Sequence, residues 1–459
     1  MLGCTRPNPR SCSDGLCTDQ RYPFCDVDGS LEGTPQTCIS VSCNPGEFAA
    51  CRGDLAITCN STGNDYDLIT CELGCDPTNG CRSCASNDQC ANPTPVCDST
   101  SSTCRACVLD DECSSQVCDD GACLPESAVV YAHPNGSSTS SCTLNEPCLL
   151  TRATTLATSS AVPAVLRLLP GVYPGTFVVG PTNAQLHVVA TGATIAGQIG
   201  ARIVDGANVD IRGLSTNTTD QGIICDSSTT SRSALKLRNV VLRSGGSGTT
   251  LIVIGNCTAQ LLTSDLDSGS GNTGGPIFLN SYGVVVADRV HFHAVGGKSI
   301  MAFGERIDVI ITNSVLDNVL FNWSTTDTGP PGSSVRVAFS TMLYRASGSL
   351  YCVTNGGSSY RMTVYENNVM TASNATSIVN GTDCTLFHNI LFPQPSPPAT
   401  NMAVDPQFVD AAAGDFHLKS TSPAIDAAVP NLVPPSADFD GTSRPQGAQS
   451  DLGAFELKP

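Results

Sequence analysis

Apolar residues recur at a nearly constant interval through the middle of this chain. From about Val165 to Phe392, short segments in which apolar and polar residues alternate are separated by polar turns. Alternation with a period of two residues is typical of a β-strand with one buried face. The apolar residue that leads each polar turn recurs every 22 to 27 residues, at Ile211, Leu237, Leu262, Val286, Ile311, Val337, Val364 and Leu386. A period of this length indicates structural repeats that stack on one another.

A second line of short apolar segments recurs in phase with the first. Its members stand 19 to 30 residues apart, at Ile224, Val253, Phe278, Ala302, Phe321, Tyr351 and Val379. Two such lines per repeat predict a coil whose sides pair with the coils above and below. We therefore predict an all-β fold, a right-handed parallel β-helix of about ten coils. With an N-terminal cap, this β-helix would occupy residues 125–400.

The N-terminal part of the chain, residues 1–124, is dominated by cysteine. Nineteen of the 25 cysteines precede Pro125, a density that favours disulfides and an oxidising compartment. Apart from Cys4 they form even groups: Cys12, Cys17, Cys25 and Cys38; Cys43, Cys51, Cys59, Cys71, Cys75 and Cys81; Cys84, Cys90, Cys97 and Cys104; Cys107, Cys113, Cys118 and Cys123. Loops this short cannot bury a core, so we predict small disulfide-stabilised modules that form a stalk. The connectivity within each group stays open.

Two short motifs offer alternative interpretations of this region. Cys81, Cys84, Cys104 and Cys107 form two C-x2-C pairs with the spacing of a zinc site. Two further cysteines lie between the pairs, and this favours disulfides. The tripeptide RGD at 52–54 matches an integrin-binding motif, although three residues recur easily by chance.

Charge and hydropathy limit the partners. The net charge of −18 argues against nucleic acid or an anionic membrane as a partner of the general surface. No apolar run reaches the roughly 20 residues of a membrane helix, and no signal peptide is evident. The N-terminal tetrapeptide MLGC resembles the end of a bacterial lipobox, in which the cysteine is lipidated. This resemblance implies a secreted or outer-surface lipoprotein with a lipid anchor at Cys4, and we expect a monomer without a transmembrane span.

Residues 129–160 are placed to cap the coil array, whose open end would otherwise expose backbone and core. The segment resembles the cap of secreted bacterial β-helix proteins, in which Tyr-x-x-Pro-x-Gly precedes a Cys-to-Pro-Cys loop. The residues that match this cap and the Pro-Gly-x-Tyr turn after it are Tyr131, Pro134, Gly136, Pro147, Cys148, Pro170, Gly171 and Tyr173. The predicted disulfides of this part of the chain are Cys142–Cys148, Cys225–Cys257 and Cys352–Cys384.

The C-terminal segment, residues 401–459, carries a dense series of motifs. It contains DPQFVD, GDFHL, SPAID, DFDGTSRP and DLGAFE. This series closely resembles the C-terminal segment of bacterial surface β-helix proteins of the choice-of-anchor Q type, and it implies display at the cell surface. The matching positions are Asp405, Pro406, Phe408, Asp410, Gly414, Asp415, His417, Leu418, Ser422, Pro423, Ala424, Ile425, Asp426, Asp438, Asp440, Gly441, Arg444, Pro445, Asp451, Gly453, Ala454 and Glu456. We expect the segment to pack on the β-helix or to cap it.

One pair of predicted coils gathers acid, base and cation on its outer face. The candidate catalytic residues are Asp265, Asp267, Arg289, His291, His293 and Lys298. By the predicted register, Asp267 stacks on His291, and Asp265 stacks on Arg289. These residue types suit acid–base catalysis on a uronate, whereas the alternative is a solvated face with a cross-coil ion pair. The motifs Gly-His-Gly and Arg-Ile-Lys of known β-helix enzymes are absent from the sequence.

Metal sites are not favoured by the sequence. Two acidic turns resemble the start of a calcium loop: Asp438, Asp440 and Gly441, and Asp26, Asp28 and Gly29. Neither has the complete twelve-residue calcium pattern, so turns in which carboxylates cap backbone N–H groups are favoured and calcium stays an alternative. His417 is interpreted as a packed or capping residue. We predict no bound metal and no cofactor.

A row of polar residues is predicted at equivalent turns of consecutive coils. Its members are Asn239, Ser264, Asp288 and Asn313. Asn and Asp tolerate tight turns and stack as hydrogen-bonded ladders, so a structural ladder is favoured over a polar track for a ligand.

These features favour a non-enzymatic function. We predict an extracellular or cell-surface β-helix protein that binds a polysaccharide, a cell-surface glycan or another surface ligand. The alternative is a polysaccharide lyase or glycoside hydrolase that acts on an acidic polysaccharide. The fold alone does not decide between them, because β-helices host both classes.

Overall fold

The structure is a computed structural model of the 459-residue chain. It describes residues 10–12, 15–32, 34–159, 164–182, 184–228, 230–246, 248–269, 274–327, 332–345, 350–351, 362–373, 377–380, 384–429 and 434–458. The chain divides into two compact units, Met1–Pro125 and Glu126–Pro459. About 4% of the residues are helical, and the prediction of an all-β fold with a solenoid after a disulfide-rich region is confirmed.

The N-terminal unit consists of short antiparallel hairpins. Its strands are β1 (Phe24–Asp26), β2 (Thr37–Ile39), β3 (Phe48–Arg52), β4 (Leu55–Cys59), β5 (Tyr66–Thr70), β6 (Cys75–Asp76), β7 (Gly80–Cys81), β8 (Val96–Asp98), β9 (Thr103–Arg105), β10 (Cys118–Asp119) and β11 (Ala122–Cys123). Two 3₁₀ turns span Asn87–Gln89 and Asp110–Glu112. Phe24 and Ile39 of the first hairpin pack with Ile57 of the β3–β4–β5 sheet in a small apolar cluster.

Disulfides hold these hairpins together. The bridges are Cys12–Cys25, Cys17–Cys38, Cys43–Cys59, Cys51–Cys75, Cys71–Cys81, Cys84–Cys97, Cys90–Cys104, Cys107–Cys118 and Cys113–Cys123. Every one of these bridges stays within one of the groups that the sequence defines. The zinc alternative is wrong for Cys81, Cys84, Cys104 and Cys107, because each of these sulfurs is used in a disulfide.

The RGD tripeptide lies at the turn between β3 and β4, with its arginine held by the module. The Arg52 guanidinium donates a hydrogen bond to the carbonyl of Cys25 at 3.1 Å and lies 5.4 Å from the ring centroid of Phe24. Only 18% of the Arg52 side chain is exposed. This geometry disfavours the integrin-ligand alternative, which needs the arginine to be presented to a partner.

The second unit is built on one parallel sheet that winds into a solenoid. A 3₁₀ turn (Glu126–Ala128), strand β12 (Val129–Ser137) and helix α1 (Leu150–Thr158) precede the coils. The coil strands are β13 (Ala164–Leu168), β14 (Gly171–Pro174), β15 (Phe177–Val179), β16 (Leu186–Val189), β17 (Ala193–Ala196), β18 (Ile199–Val204), β19 (Asn208–Arg212), β20 (Ser215–Thr218), β21 (Gln221–Ser227), β22 (Ser233–Arg238), β23 (Val241–Ser244), β24 (Leu251–Gly255), β25 (Cys257–Ser268), β26 (Ile277–Asn280), β27 (Val284–Gly304), β28 (Asp308–Thr312), β29 (Val315–Thr325), β30 (Ser334–Ala338), β31 (Thr341–Tyr344), β32 (Leu350–Tyr351), β33 (Met362–Glu366), β34 (Val369–Ala372), β35 (Val379–Asn380), β36 (Thr385–Phe387) and β37 (Ile390–Phe392). Strands pair in parallel with the equivalent strand of the next coil, as β13 does with β16. The solenoid has about eight turns, roughly the ten coils predicted.

Each coil contains three lines of strands, one more than the sequence indicated. In one coil these are β22, β23 and β24, which pair with β19, β20 and β21 of the preceding coil. Between β22 and β23 the chain bends at Asn239, whose φ is 53°. Because only Asn239 and Val240 separate the two strands, they appear in the sequence as a single segment.

The solenoid interior is apolar because strand side chains alternate between its two faces. In β22 and β23, the exposed fraction of Leu235, Leu237 and Leu242 is at most 1%. Burying an aliphatic side chain of this size contributes about 1.5–3 kcal/mol, so the stacked coils supply the stability of this unit.

The bend between the first two strand lines has the same left-handed conformation in coil after coil. The non-glycine residues at this bend are Asn239, Thr263, Arg289, Asn313, Phe339, Asn367 and His388, with φ between 46° and 56°. The residue after each bend points inward. In the later coils it is serine or asparagine, and its side-chain oxygen accepts the backbone N–H of the coil before. Asn368 accepts from Ser340 at 2.9 Å, and Asn389 accepts from Asn368 at 2.9 Å.

The predicted polar row is therefore correct for only two of its members. Asn239 and Asn313 occupy the bend, but Ser264 lies one position later, in the inward ladder, and Asp288 lies one position earlier. Positions predicted at a nearly constant interval shift by one residue from the bend because successive coils differ in length.

A cap covers the first coil. β12 pairs in parallel with β13, and α1 buries Ala153 and Ala157 against the solenoid core. The Cys142–Cys148 disulfide closes the loop between β12 and α1. A Cβ on Gly136 would lie 2.3 Å from the carbonyl oxygen of Cys148, so this close approach requires glycine.

The C-terminal segment packs on the outer side of the solenoid. It contains the antiparallel hairpin β38 (Phe408–Asp410) and β39 (Asp415–Leu418). Phe416 and Phe455 of the segment pack on Val315 and Leu343 of the second strand line. The backbone N–H of Ala454 donates to Thr341 Oγ1 at 3.0 Å. The segment thereby shields outward-facing side chains that would otherwise meet water.

The structure describes one of the two predicted coil-to-coil disulfides in full. Cys225 and Cys257 form a disulfide with a Cα–Cα distance of 6.2 Å. The predicted Cys352–Cys384 bridge involves Cys352, which lies outside the described residues, as does the predicted lipid anchor Cys4. Within the described ranges, no helix is both long and apolar enough to cross a membrane.

Candidate functional site

A row of charged side chains crosses the coils on the outer face of the second strand line. Arg243, Asp267, His293 and Asp317 occupy equivalent positions of β23, β25, β27 and β29. Arg243 Nε lies 3.9 Å from Asp267 Oδ2, and His293 Nδ1 lies 3.5 Å from Asp317 Oδ2. Cross-strand neighbours interact directly, so a row of basic and acidic groups avoids repulsion between stacked like charges.

A second row runs beside the first, two residues earlier in each strand. Asp265 pairs in register with His291, and His291 pairs with Val315. His291 Nδ1 lies 3.6 Å from Asp265 Oδ1, and Arg243 Nη2 lies 4.0 Å from Asp265 Oδ2. Burial lowers the pKa of His291, against the opposing effect of Asp265, and favours the neutral imidazole.

The predicted register of this cluster was wrong by two residues. Asp265 stacks on His291 and not on Arg289, and Asp267 stacks on His293 and not on His291. Because side chains alternate with a period of two, a shift of two residues leaves every apolar position on the same face. The pattern of apolar residues therefore cannot detect this error.

Two of the candidate cations lie away from the cluster. Arg289 occupies the bend with φ 55°, and its Nε donates to Asp288 Oδ2 at 3.1 Å. Lys298 follows an irregularity after His293 and pairs in register with Val319 on the third strand line. Burial lowers the pKa of Lys298, and no ion pair among the described residues joins it to Asp265, Asp267 or Asp317.

The buried acid of this face and the arginine that holds it were not predicted from the sequence. The Asp317 side chain is only 7% exposed, and its two oxygens accept hydrogen bonds from Arg345 at 2.8 and 3.2 Å. Arg345 Nη2 also donates to the carbonyl of Ala411 in the C-terminal segment at 3.0 Å. The coil interval contained a signal for Asp317, because it stands one coil after His293.

A cleft opens where the C-terminal segment meets this face. Its volume is about 330 Å³, within the range of small-ligand sites, and its lining includes His291, Asp415, His417, Phe439, Asp440 and Phe455. The His417 ring bridges two carboxylates, with Nδ1 2.6 Å from Asp415 and Nε2 2.8 Å from Asp440. Partial burial opposes a charge on His417, but these hydrogen bonds outweigh it and raise its pKa. The same ring lies 4.4 Å from that of Phe455.

The two acidic turns use their carboxylates on backbone groups. Asp438 accepts the N–H groups of Thr442 and Glu456 at 2.7 and 2.8 Å. Asp26 accepts those of Leu31 and Glu32 at 3.1 and 2.9 Å. These contacts are the ones expected of capped turns, the interpretation that the sequence favoured over calcium.

The parallel β-helix of this chain is similar to the fold of a solved pectate lyase. The crystal structure of pectate lyase Pel9A superposes with a TM-score of 0.51 at 16% identity, covering 72% of this chain and 96% of that chain. At this identity the similarity shows the fold alone. A pectin methylesterase in complex with a hexasaccharide gives a TM-score of 0.27 at 13% identity, over 64% of this chain and 96% of its own, which is too low to indicate a shared fold. No protein-family profile and no curated protein sequence matches the chain.

Proposed function

We propose that this chain is an extracellular, non-enzymatic β-helix protein that binds a glycan in the cleft between its solenoid and its C-terminal segment. The observation that carries the proposal is the composition of the cleft. It combines the rings of Phe439 and Phe455 with the polar groups of His417, Asp415 and Asp440. Flat rings beside hydrogen-bonding groups suit a sugar, which presents apolar C–H faces and polar hydroxyl edges.

Binding without cleavage is supported by the partners of the carboxylates. Asp317 forms two hydrogen bonds with Arg345, and His417 lies between Asp415 and Asp440. A hydrolase needs one carboxyl group that donates a proton and a second that stays free to act as base or nucleophile. Carboxylates that already hold cationic partners are poorly suited to either task.

The charge of the protein favours a glycan that is not strongly acidic. The chain carries a net charge of −18, which repels a polyanion unless cations lie between them. A neutral or weakly charged glycan avoids this repulsion, and the carboxylates of the cleft are suitable acceptors for its hydroxyl groups.

A lyase that acts on an acidic polysaccharide is the second candidate, and one observation favours it. The lowered pKa of His291 keeps a neutral imidazole, which is the form of a general base, on this face. The nearby Arg243 side chain is 55% exposed and is available to a uronate carboxylate.

The proposal is tested with a glycan array, followed by titration of the best glycan against Phe439→Leu. Leucine retains apolar volume but removes the flat ring, so we expect binding to weaken about tenfold, or about 1.4 kcal/mol. The matched control is Phe387→Leu, because Phe387 is 46% exposed on the solenoid outside the cleft. Equal affinity of both variants for the glycan contradicts the proposed cleft.

Catalysis is tested on the same glycans by following unsaturated uronates and new reducing ends. We expect neither product from the unaltered chain. Turnover that disappears in His291→Ala would establish the lyase and overturn the non-enzymatic proposal. Melting temperatures of both proteins exclude loss of the fold as the cause.

We also propose that the protein lies outside the cell and is attached through a lipid at Cys4. The support is the number of disulfides, which persist in an oxidising compartment, and the likeness of residues 1–4 to a lipobox. Mass spectrometry of the native N-terminus tests the anchor, and an unmodified Cys4 thiol contradicts it.

A further inference from the structure

Three potential metal ligands converge on the outer face of the solenoid. His291 and His293 project from the same side of β27, and Asp317 projects from the next coil. One ring nitrogen from each histidine and one oxygen from the carboxylate all lie within 4.8 Å of one another. The imidazole rings are 6.0 Å apart between centroids and tilted by 50°, so they do not stack face to face.

The distances in this group are too long for hydrogen bonds. His293 Nδ1 is 3.5 Å from Asp317, and His291 Nδ1 is 3.6 Å from Asp265, whereas an N–H···O hydrogen bond spans about 2.7–3.2 Å. His417 shows the contrast, because its two nitrogens lie 2.6 and 2.8 Å from carboxylates. Two ligands bound tetrahedrally at about 2.0–2.2 Å from one ion lie about 3.4 Å apart. The spacing of His293 and Asp317 fits an ion between them.

We propose that His291, His293 and Asp317 bind a divalent transition-metal ion of the zinc class. Two imidazoles and a carboxylate suit Zn²⁺, Co²⁺ or Ni²⁺, whereas Ca²⁺ prefers six to eight oxygen ligands. Three protein ligands leave one tetrahedral position for water or another ligand. This site goes beyond glycan binding, since it depends on the solenoid face and does not require an occupied cleft.

The surroundings hold the three ligands in place. Phe292, between the two histidines, is fully buried, so β27 cannot rotate these side chains inward without exposing it. Arg345 orients Asp317 through two hydrogen bonds and leaves further lone pairs on its oxygens.

The described cysteine clusters do not compete for this ion. The groups with metal-like spacing around Cys12, Cys84 and Cys107 consist of disulfide-bonded cysteines. A disulfide sulfur is not a thiolate, which is the form that binds zinc. Metal binding by the oxidised chain is therefore expected at the histidine site.

The test is calorimetric titration of the full, oxidised, chelator-treated chain with Zn²⁺, together with the absorption spectrum of the Co²⁺ form. We expect one ion per chain. Loss of one ligand in His293→Ala should weaken Zn²⁺ binding by more than the roughly 10–100-fold of an outer-shell loss. The matched control is His187→Ala, because His187 lies on β16 with one nearby carboxylate, Asp210 at 4.0 Å, and it should bind like the unaltered chain.

Melting temperatures without metal show whether either variant is misfolded. If His293→Ala is destabilised, Asp317→Asn removes the anionic ligand instead and should give the same loss of Zn²⁺ binding. The proposal is overturned if the unaltered chain binds no stoichiometric Zn²⁺, or if folded His293→Ala binds it with unchanged affinity.

Discussion

Replacing Glu456 by alanine should loosen the C-terminal segment by breaking a buried ion pair. The side chains of Arg444 and Glu456 are both fully buried, with Nη1 2.6 Å from Oε1. The guanidinium also donates to the carbonyls of Asp451 and Gly453 at 3.1 and 2.8 Å. Burial lowers the pKa of Arg444 and raises that of Glu456, so each charge depends on the other to remain buried.

The magnitude follows from what the substitution leaves behind. Removing one partner of a buried pair costs about 3–5 kcal/mol, because the remaining charge is uncompensated. Two backbone donors also lose their acceptor, since Glu456 accepts the N–H groups of Asp451 and Gln446 at 2.8 and 3.1 Å. For Glu456→Ala we therefore expect a loss of stability in the upper part of that range. Glu456→Gln keeps one of the two acceptor oxygens and removes the charge, so a smaller loss of about 1.5–3 kcal/mol is expected.

The assay is hydrogen–deuterium exchange of residues 436–457, because a long solenoid need not unfold in two states. A loss of 3 kcal/mol or more corresponds to local opening that is over about a hundredfold more frequent. The double variant Arg444→Met/Glu456→Leu should recover most of the stability, because no charge remains buried. A change below about 0.5 kcal/mol in Glu456→Ala would refute the reasoning.

Two further predictions concern the ladder and the cleft. Asn368→Ala deprives Ser340 N–H of its acceptor, so hydrogen–deuterium exchange around Ser340 should show a local loss of about 2–4 kcal/mol, whereas Asn217→Ala, at an exposed position, should change little. The raised pKa of His417 adds stability below its ordinary value of 6.5, and this stability is lost as the pH rises through the raised pKa. The lowered pKa of Asp415 adds stability above its ordinary value of 3.8, and this stability is lost as the pH falls through the lowered pKa. Protection factors at β39, which correct for the pH dependence of intrinsic amide exchange, should thus be highest between pH 3.8 and 6.5, and His417→Gln should abolish their decrease at the basic side.

Much of the fold was predictable because the period of the chain reports its burial pattern. Residues such as Leu237 and Ile311 recur once per coil and are fully buried. The third strand line was not predictable in the same way, because a bend such as Asn239 interrupts a strand without any polar run. The grouping of the disulfides was predictable by counting cysteines along the sequence. Their connectivity was not, because it depends on which cysteines approach each other in space.

The candidate site was only partly predictable. Asp265, Asp267, His291 and His293 were identified, since they lie close together on two segments. Their register was not, because alternation is unchanged by a shift of two residues. The contributions of the C-terminal segment depend on docking between distant parts of the chain, which no local period encodes.

The outer face of the solenoid is free to carry chemistry because the core constrains only every second residue. Between His291 and His293 the core requires Phe292 to be apolar but sets no condition on its neighbours. The C-terminal segment adds a condition on this outer face, since its packing on Val315 makes the neighbouring His291 part of a cleft wall. The proposed metal ligands belong to the solenoid, and Phe439 belongs to the segment. Variants at His293 and at Phe439 therefore probe two sites that share one face but depend on different parts of the chain.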